Sequence, residues 1–368
     1  MKIFVDLTCL ARTMTGVENY TFNLFKTVVE TDQANKYCLL FRKKVHPFFR
    51  TLAKHQPECY LSLFKSQFLT EQIFIPLFLL VRKFDAHVFP CFPPGLLTRS
   101  SNLFTICYDA TMWLYPDTTS LKNRLYFKPL TERALRKAQK IFTISESSKR
   151  DISHVFAFLA NRIVNIGAAL PDGFTPVQEK EAHSANADLG IKEPYLLSVG
   201  SLEPRKNILF ALRALEPVLK EKNIRLVLVG RNAWGTDEIS HEIMNLSLDR
   251  YVLRTGFVSK KQLQFLYSKA EIFIFPSLYE GFGFPIVEAF SCGCPVISSN
   301  TSSIPEVAGN AALLIDPHNG AQLRDAVLSL LANQSRREEL RLRGYKQVMK
   351  FNWADCAARL LEQVNRSR

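Results

Sequence analysis

The chain has 368 residues, which exceeds one ordinary hydrophobic core and suits two domains. Apolar residues make up 47% and charged residues 22%, a composition that excludes a collagen-like or intrinsically disordered chain. The formal net charge is +13, and residues 1–181 hold 24 Lys and Arg against 15 Asp and Glu. This uneven basic excess, with aromatic neighbours at 41–44 and 48–50, favours a partner that carries phosphate, on a lipid, a nucleotide or a nucleic acid; a merely solvated basic face is an equal alternative.

The N-terminus, MKIFVDLTCL, lacks the apolar core and the cleavage site of a signal peptide. The longest apolar run, residues 73–81, contains Pro76 and is well short of the roughly 20 residues that cross a bilayer. The eight cysteines lie mostly in apolar runs without a CxxC pair, which favours buried thiols over metal ligands. We therefore predict a cytoplasmic protein with no metal site and no membrane span.

The first half of the chain alternates between strand and helix patterns. Residues 2–7 form a short apolar run, and residues 17–30 carry apolar side chains at helical spacing. The loop between them ends in Gly16, as in the opening unit of many nucleotide-binding domains. Further strand candidates are residues 37–41, 86–89, 103–107 and 141–144. This alternation predicts a parallel, doubly wound sheet in a first domain of residues 1–170.

Residues 167–190 contain two prolines and no sustained apolar period, which predicts an interdomain linker. A second alternating series follows and predicts another α/β domain over residues 171–352. Its strand candidates are residues 195–199, 225–229, 251–253, 272–275, 296–298 and 311–315. Residues 322–364 have an almost continuous helical pattern.

One candidate site follows the first strand of the second domain. The segment from Gly200 to Asn207 includes Ser201, Arg205 and Lys206 and precedes a helix. Ligands bind at the carboxyl edge of such sheets, and two cations beside a helix N-terminus are placed to bind a diphosphate. Solvated surface charge is an equally good interpretation of this motif alone. If both cations face a ligand, either can be replaced with little loss of stability.

The second candidate site is a strand, a glycine-bearing loop and a helix over residues 275–288. Gly281 and Gly283 allow main-chain N–H groups to approach a ligand closely. Glu280 is predicted in the loop, and Glu288 about one turn into the helix. Burying the Glu288 carboxylate among apolar neighbours requires a partner, which ligand hydroxyls would supply. A glutamate pair eight residues apart is weak evidence by itself.

Taken together, these residues resemble family 4 of the glycosyltransferases. The resemblance is carried by SVGSLEPRKN and by SLYEGFGFPIVEAFSCGCPVISSNTSSIPEVAGNAALLIDP, which contains the family's pair of glutamates separated by seven residues. Weaker similarity extends through most of the chain, including residues 143–150. The resemblance implies the GT-B fold, an α/β architecture of two Rossmann-like doubly wound domains facing a central cleft. It also implies that the final helix, about residues 353–368, packs back onto the first domain.

The resemblance also assigns roles. Arg205 and Lys206 are expected to bind the donor diphosphate, Glu288 the ribose hydroxyls, and Glu280 the transferred sugar. The remaining expected donor contacts are Gly16 and the amides around Gly281, Phe282, Gly283 and Phe284 for the phosphates and sugar, with Phe257 and Val258 near the nucleobase.

One segment departs from the family pattern. Many relatives carry a His-Asp dipeptide, and the matching residues here are Tyr108 and Asp109. Positioning of the sugar by a histidine is therefore not expected. Asp109 is the polar catalytic candidate at this point.

The resemblance implies a retaining transferase that needs no metal or other cofactor, in which the leaving diphosphate takes the acceptor proton. A covalent intermediate on Glu280 is the rival mechanism. The relatives most resembled are bacterial mannosyl- and rhamnosyltransferases of O-antigen, capsule or exopolysaccharide synthesis. GDP-mannose is the expected donor and a dTDP- or UDP-sugar the alternative. The expected acceptor is a saccharide, free or on a polyprenyl diphosphate, at an anionic membrane surface.

Two other functional classes are compatible with a basic α/β protein. A dinucleotide-dependent oxidoreductase is disfavoured because no G-x-G-x-x-G follows the first strand. Binding to nucleic acid is not expected, since no RRM, KH or zinc-finger signature occurs. A non-catalytic nucleotide-binding scaffold is the remaining alternative.

Overall fold

A computed structural model describes most of the chain, namely residues 1–10, 14, 16–52, 57–119, 121–171, 173–177, 189–191, 194–231 and 236–366. The chain divides into two compact units. Unit 1 comprises Met1–Pro171 together with Asn352–Arg368, and unit 2 comprises Asp172–Phe351. Much of the predicted linker, residues 172 and 178–188, lies outside the described residues.

Unit 1 contains a seven-stranded sheet whose neighbouring strands are all parallel. Its strands are β1 (Lys2–Asp6), β2 (Lys36–Phe41), β3 (Glu58–Leu61), β4 (Ala86–Phe89), β5 (Leu103–Ile106), β6 (Lys140–Thr143) and β7 (Ile163–Asn165). The order across the sheet is β3-β2-β1-β4-β5-β6-β7. The five predicted strands are confirmed. The prediction missed the two edge strands, because β3 is half exposed and begins with a glutamate, and β7 has only three residues.

Helices cover the strands of unit 1. They are α1 (Gly16–Thr31), α2 (Pro47–Thr51), α3 (Gln67–Leu69), α4 (Ile75–Val81), α5 (Thr111–Leu114), α6 (Lys128–Lys137) and α7 (Glu146–Val155). A π-helical turn, Thr70–Phe74, joins α3 to α4, and a second one, Asn123–Phe127, precedes α6. Among the described residues, no helix combines the length and the apolar character that a membrane span requires.

Unit 2 contains a six-stranded parallel sheet. Its strands are β8 (Tyr195–Val199), β9 (Arg225–Val229), β10 (Val252–Gly256), β11 (Ile272–Phe275), β12 (Val296–Ser299) and β13 (Ala312–Ile315), in the order β10-β9-β8-β11-β12-β13. All six predicted strands are confirmed, and β10 is longer than expected at its C-terminal end. The central strands are almost wholly buried, as expected for strands covered by helices on both faces.

The helices of unit 2 are α8 (Ile208–Glu221), α9 (Thr236–Asn245), α10 (Lys260–Lys269), α11 (Phe284–Ser291), α12 (Ile304–Ala308), α13 (Gly320–Ala332) and α14 (Gln334–Val348). The last helix, α15 (Trp353–Asn365), belongs to unit 1 and packs against α1. The indole of Trp353 lies edge-on to the ring of Tyr20, with centroids 5.2 Å apart, and donates a hydrogen bond to the Leu170 carbonyl at 2.9 Å.

Candidate active site

Two loops meet at the carboxyl edge of the second sheet because of its strand order. The chain leaves β8 for β9 on one side, and β11 pairs with β8 on the other side. This reversal is the topological switch point at which open α/β sheets bind ligands. The segments that follow β8 and β11 therefore come together, although 74 residues separate Lys206 from Glu280.

A left-handed residue shapes the loop after β8. Residues Pro204–Lys206 form a 3-10 turn, and Asn207 follows with φ 59° before α8 begins. Asparagine tolerates this conformation better than most residues. Its side chain also donates a hydrogen bond to the Pro317 carbonyl at 2.8 Å. The turn is thereby fixed with Arg205 and Lys206 directed to the loop after β11.

Four charged side chains form an ion cluster between the two loops: Glu203, Arg205, Lys206 and Glu280. The Lys206 Nζ lies 2.6 Å from Glu280 Oε1, and an Arg205 guanidinium nitrogen lies 3.1 Å from Glu280 Oε2. Arg205 also lies 2.7 Å from Glu203 Oε1 and donates to the Tyr279 carbonyl at 2.5 Å. Two cations thus face two carboxylates, and the cluster is close to neutral as it stands.

The cluster is largely buried, which determines its protonation. Lys206 is 9% and Glu280 is 8% exposed. Burial alone would raise the pKa of Glu280, but the Lys206 and Arg205 charges outweigh it and hold this pKa below its usual value. Glu280 therefore stays ionised at neutral pH. We revise the expectation that Lys206 can be replaced at little cost in stability, because its removal would strand a buried carboxylate.

Two serines fix the backbone of Glu280. The Glu280 N–H donates to Ser302 Oγ at 2.9 Å, and Ser303 Oγ donates to the carbonyls of Glu280 and Phe282 at 3.0 and 2.9 Å. Ser302 has φ 52°, a left-handed conformation that is uncommon for serine. This serine pair follows β12, the sheet neighbour of β11. No local motif marks these serines; the available signal is their place after the next strand of the same sheet edge.

Glu288 has a different environment, on the first turns of α11. This helix starts after Gly283, which has φ 100°, with Pro285 in its first turn as predicted. The Tyr267 hydroxyl donates to Glu288 Oε2 at 3.1 Å. Burial raises the pKa of Glu288 to about 7, although Tyr267 and the charge of Lys260 oppose the shift. The two glutamates therefore differ, since Glu280 is firmly ionised and Glu288 titrates near neutrality.

Tyr267 corrects one expectation. Ligand hydroxyls are the partner of Glu288 that the sequence predicts, whereas the protein itself supplies a tyrosine from α10. Burial raises the pKa of Tyr267 well above 10, so it remains a donor at neutral pH. Tyr267 is one of three consecutive buried residues in a helix whose other residues are mostly polar, and this pattern gives no sequence signal for the role.

The other predicted donor contacts in unit 2 fall into two groups. Ser201 lies in the loop after β8, and the N–H groups from Gly281 to Phe284 lie in the loop that leads into α11. The Phe282 side chain is 4% exposed and packs on Phe284, and its carbonyl accepts from Ser303, so its main-chain N–H is the group that could meet a ligand. Beyond β10, Val258 is buried, whereas Phe257 is 66% exposed with the Arg231 guanidinium over its ring. Phe257 therefore exposes aromatic surface of the kind that stacks on a nucleobase, with Arg231 over one face of the ring.

The predicted residues Gly16 and Asp109 belong to unit 1. Gly16 opens α1, with open space where a Cβ would be, but residues 11–13 and 15 of the loop before it lie outside the described residues. Asp109 accepts a hydrogen bond from the Thr111 N–H at 2.8 Å. Tyr108, which replaces the family histidine, is hydrogen-bonded to the Thr21 hydroxyl at 3.0 Å. Burial raises the pKa of Tyr108 well above 10, so a neutral phenol takes this place.

The sequence of the chain is similar to those of known glycosyltransferases. The family described as glycosyl transferases group 1 matches residues 179–347. The O-antigen chain mannosyltransferase B of Escherichia coli is 31% identical over 266 residues, which cover 72% of this chain and 70% of that protein. The chain belongs to the group 1 glycosyltransferases. The family 4 resemblance noted in its motifs is thereby confirmed.

Two further relatives of this glycosyltransferase match over smaller shares of their length. The O-antigen chain mannosyltransferase RfbU of Salmonella typhimurium is 28% identical over 224 residues, 61% of this chain and 59% of that protein. The serotype-specific mannosyltransferase WbdA of Escherichia coli is 29% identical over 238 residues, which are 63% of this chain and only 29% of that protein.

Solved structures confirm the fold of the glycosyltransferase. Anabaena HepE in complex with UDP-glucose superposes with a TM-score of 0.74 at 17% identity, covering 100% of both chains. WaaG, described as a glycosyltransferase of lipopolysaccharide biosynthesis, gives 0.72 at 14% identity, covering 99% of each chain. Sucrose-phosphate synthase of Thermosynechococcus elongatus gives 0.73 at 18% identity, covering 99% and 98%. The expected GT-B architecture of two Rossmann-like units is confirmed.

Proposed function

We propose that the enzyme transfers a hexose from a nucleotide sugar to a saccharide acceptor with retention of configuration, and that the sugar is mannose from GDP-mannose. The ion cluster at the switch point of the second sheet carries this proposal, because it places two cations and a buried carboxylate where a diphosphate and its sugar would bind. The mannosyltransferase relatives support the choice of sugar.

In this proposal the donor diphosphate takes over the two cations of the ion cluster. The Arg205 guanidinium can bind two phosphate oxygens at once, and Lys206 adds a point charge. Both cations now satisfy Glu203 and Glu280, so the diphosphate must compete with these carboxylates. Glu280 then becomes available to the sugar, while Glu288 accepts hydrogen bonds from the ribose hydroxyls.

Chemistry follows from this arrangement of charges. The bond between the anomeric carbon and the diphosphate oxygen breaks, the acceptor oxygen bonds to that carbon on the same face, and the acceptor proton passes to the diphosphate. Arg205 and Lys206 stabilise the charge on the leaving group by several kcal/mol, about the scale of a preorganised donor pair. Because the protein supplies these cations, no metal is required. Attack by Glu280 on the anomeric carbon is the alternative, and its low pKa suits either role.

The proposed acceptor is a growing surface polysaccharide, such as an O-antigen, on a polyprenyl diphosphate lipid at the cytoplasmic face of an anionic membrane. The names of the relatives support the polysaccharide, and the basic excess of residues 1–181 supports the membrane surface. A UDP- or dTDP-sugar is the second candidate donor. HepE was solved with UDP-glucose, and the exposed ring of Phe257 would stack on any of these bases.

Binding and turnover measurements test the proposal. We expect calorimetry to show GDP binding more tightly than UDP, dTDP or NAD, and we expect GDP-mannose to be hydrolysed slowly without an acceptor. Tighter binding of UDP or dTDP would select the second donor class. Binding of NAD alone would contradict a glycosyltransferase, and nucleotide binding without any turnover of a nucleotide sugar would indicate a non-catalytic scaffold.

A further inference from the structure

The helical segment from α3 through the π-helical turn to α4 has an inverted distribution of side chains. Its buried side includes Thr70, Glu71 and Ile75. The solvent side carries an apolar stripe, whose exposed fractions are Phe68 55%, Ile73 41%, Leu77 58%, Leu80 69% and Val81 81%. The last four are at i, i+4, i+7 and i+8, which places them on one face of a helix. A helix of a freely soluble protein would carry polar residues there.

The stripe continues into an apolar groove at its Phe68 end. Phe68 lines a cavity of about 610 Å³ together with Leu96, Leu97, Leu125 and Tyr126. These three leucines are 56%, 73% and 77% exposed. Twelve of the 18 exposed large apolar side chains in the described part of the chain fall within residues 61–125. Such a concentration marks a binding surface, because scattered exposure would be spread along the chain.

Positive charge lies at the other end of the stripe. Arg82 and Lys83 directly follow Val81, and they line a second cavity of about 750 Å³ with Arg99 and Lys137. The same cavity contains Asp85 and His87; burial lowers the pKa of His87 to about 4, so this ring is neutral.

Neighbouring acidic groups leave this cavity positive. Glu58 lies 3.9 Å from Arg82, and the Asp85 carboxylate accepts a hydrogen bond from the Lys2 main-chain N–H at 2.6 Å. The four cations of the cavity thus outnumber the two nearby carboxylates, Asp85 within the cavity and Glu58 beside it. This excess of positive charge is complementary to phosphates.

We propose that the apolar stripe, the apolar groove and the basic cavity form one surface that docks on an anionic bilayer. Leu77, Leu80 and Val81 enter the boundary between headgroups and acyl chains, and the cations of the basic cavity contact lipid phosphates. Docking would bring the enzyme to the lipid-linked acceptor of the proposed function, and its biological role rests on that proposed function. Docking itself is independent of glycosyl transfer and is tested separately.

Charge decides between a bilayer and a second copy of the chain. A two-fold contact centred on the apolar stripe would place the basic cavity of one copy against the apolar groove of the other, where its cations would meet no phosphate or carboxylate. The sequence predicts membrane contact through basic and aromatic segments between residues 41 and 83, and the proposed surface includes the part of this range from Phe68 to Lys83. The rings of Phe41 and Phe49 are 0% and 2% exposed, so they belong to the core and cannot reach a membrane.

Co-sedimentation of the full chain with vesicles tests the proposal. We expect wild type to bind phosphatidylcholine vesicles containing phosphatidylglycerol, and to bind pure phosphatidylcholine weakly. The double variant Leu77→Gln/Leu80→Gln should lose at least about tenfold in binding to the anionic vesicles. Lys83→Gln/Lys137→Gln should lose binding and also much of its salt dependence. The matched control is Leu342→Gln, which replaces a leucine of unit 2 that is 53% exposed and should bind as wild type.

Nucleotide binding and sedimentation velocity complete the test. Every variant should bind GDP as wild type does, which shows that it is folded; Leu97→Gln/Leu125→Gln in the groove serves as a second apolar variant if the first does not fold. The proposal is overturned if wild type binds neither vesicle, if the apolar variants bind as wild type, or if they convert a dimer to a monomer. Failure of donor turnover with intact vesicle binding would refute only the proposed function.

Discussion

Replacing Lys206 by methionine removes the ammonium from the ion cluster but keeps much of the side-chain volume. Glu280, 8% exposed, would then keep the Arg205 guanidinium at 3.1 Å but lose the closer ammonium at 2.6 Å. Removing one partner of a buried pair usually costs about 3 to 5 kcal/mol, and with Arg205 still present we expect about 3 kcal/mol of destabilisation. The double variant Lys206→Met/Glu280→Gln should lose only about 1 kcal/mol, because no carboxylate is stranded.

The low pKa of Glu280 adds a pH dependence to this prediction. A carboxyl whose folded pKa lies below its unfolded value contributes stability above the unfolded value and loses it as the pH falls through the folded value. The difference between wild type and Lys206→Met should therefore be full at pH 7. It should shrink as the pH falls below the ordinary glutamate value of 4.5.

Hydrogen exchange during urea unfolding, followed by mass spectrometry on peptides of unit 2, measures these differences, since a chain of two units need not unfold in one step. Lys261→Met, at an exposed lysine of α10, is the matched control and should stay within about 0.5 kcal/mol of wild type. The reasoning is refuted if Lys206→Met is as stable as wild type, or if the double variant is less stable than the single one.

Further predictions concern catalysis and binding. Glu280→Gln should lower kcat while GDP still binds, whereas Glu288→Gln should weaken GDP binding. Steady-state kinetics and calorimetry measure the two effects. A wild-type kcat in Glu280→Gln, or a wild-type GDP affinity in Glu288→Gln, would contradict these roles. Ser303→Ala should lower kcat about tenfold with GDP affinity unchanged, because the Glu280 loop loses the hydrogen bonds that position it. Ser303→Thr keeps a hydroxyl and should restore kcat. An unchanged kcat in Ser303→Ala would show that Ser303 does not position Glu280. GDP binding by wild type should weaken as the pH falls through about 7, where Glu288 gains a proton and loses an acceptor site, and Glu288→Gln should lack this dependence. Tyr267→Phe should move that midpoint to higher pH, since its hydrogen bond lowers the Glu288 pKa, and an unmoved midpoint would show that Tyr267 does not act on Glu288.

The sequence predicts well what depends on local pattern. Apolar runs identify the central strands because parallel strands are buried on both faces, and the loops at 200–207 and 276–283 follow two of these runs directly. Edge strands escape prediction because they are short and partly exposed, as in β3 and β7.

Prediction fails where a role depends on pairing between distant segments. No local pattern shows that Tyr267 reaches Glu288, 21 residues away, or that Ser303 bonds the Glu280 carbonyl, 23 residues away. The burial of Lys206 cannot be predicted from local sequence either, because a lysine just before a helix is usually exposed on the surface. The contacts of Ser303 and Lys206 exist because neighbouring strands bring their C-terminal loops to one edge of the sheet, and that of Tyr267 exists because α10 packs beside α11.

The position of α15 has a consequence for synthesis of the chain. Unit 1 begins with the first residues but includes α15, whose Cys356, Leu360 and Val364 are buried with Tyr20 of α1. During translation, all of unit 2 emerges before these residues do, so unit 1 remains without its last helix until unit 2 can already have folded. We therefore expect ribosome-bound chains that end near residue 351 to expose the Tyr20 side of α1 and to recruit chaperones there.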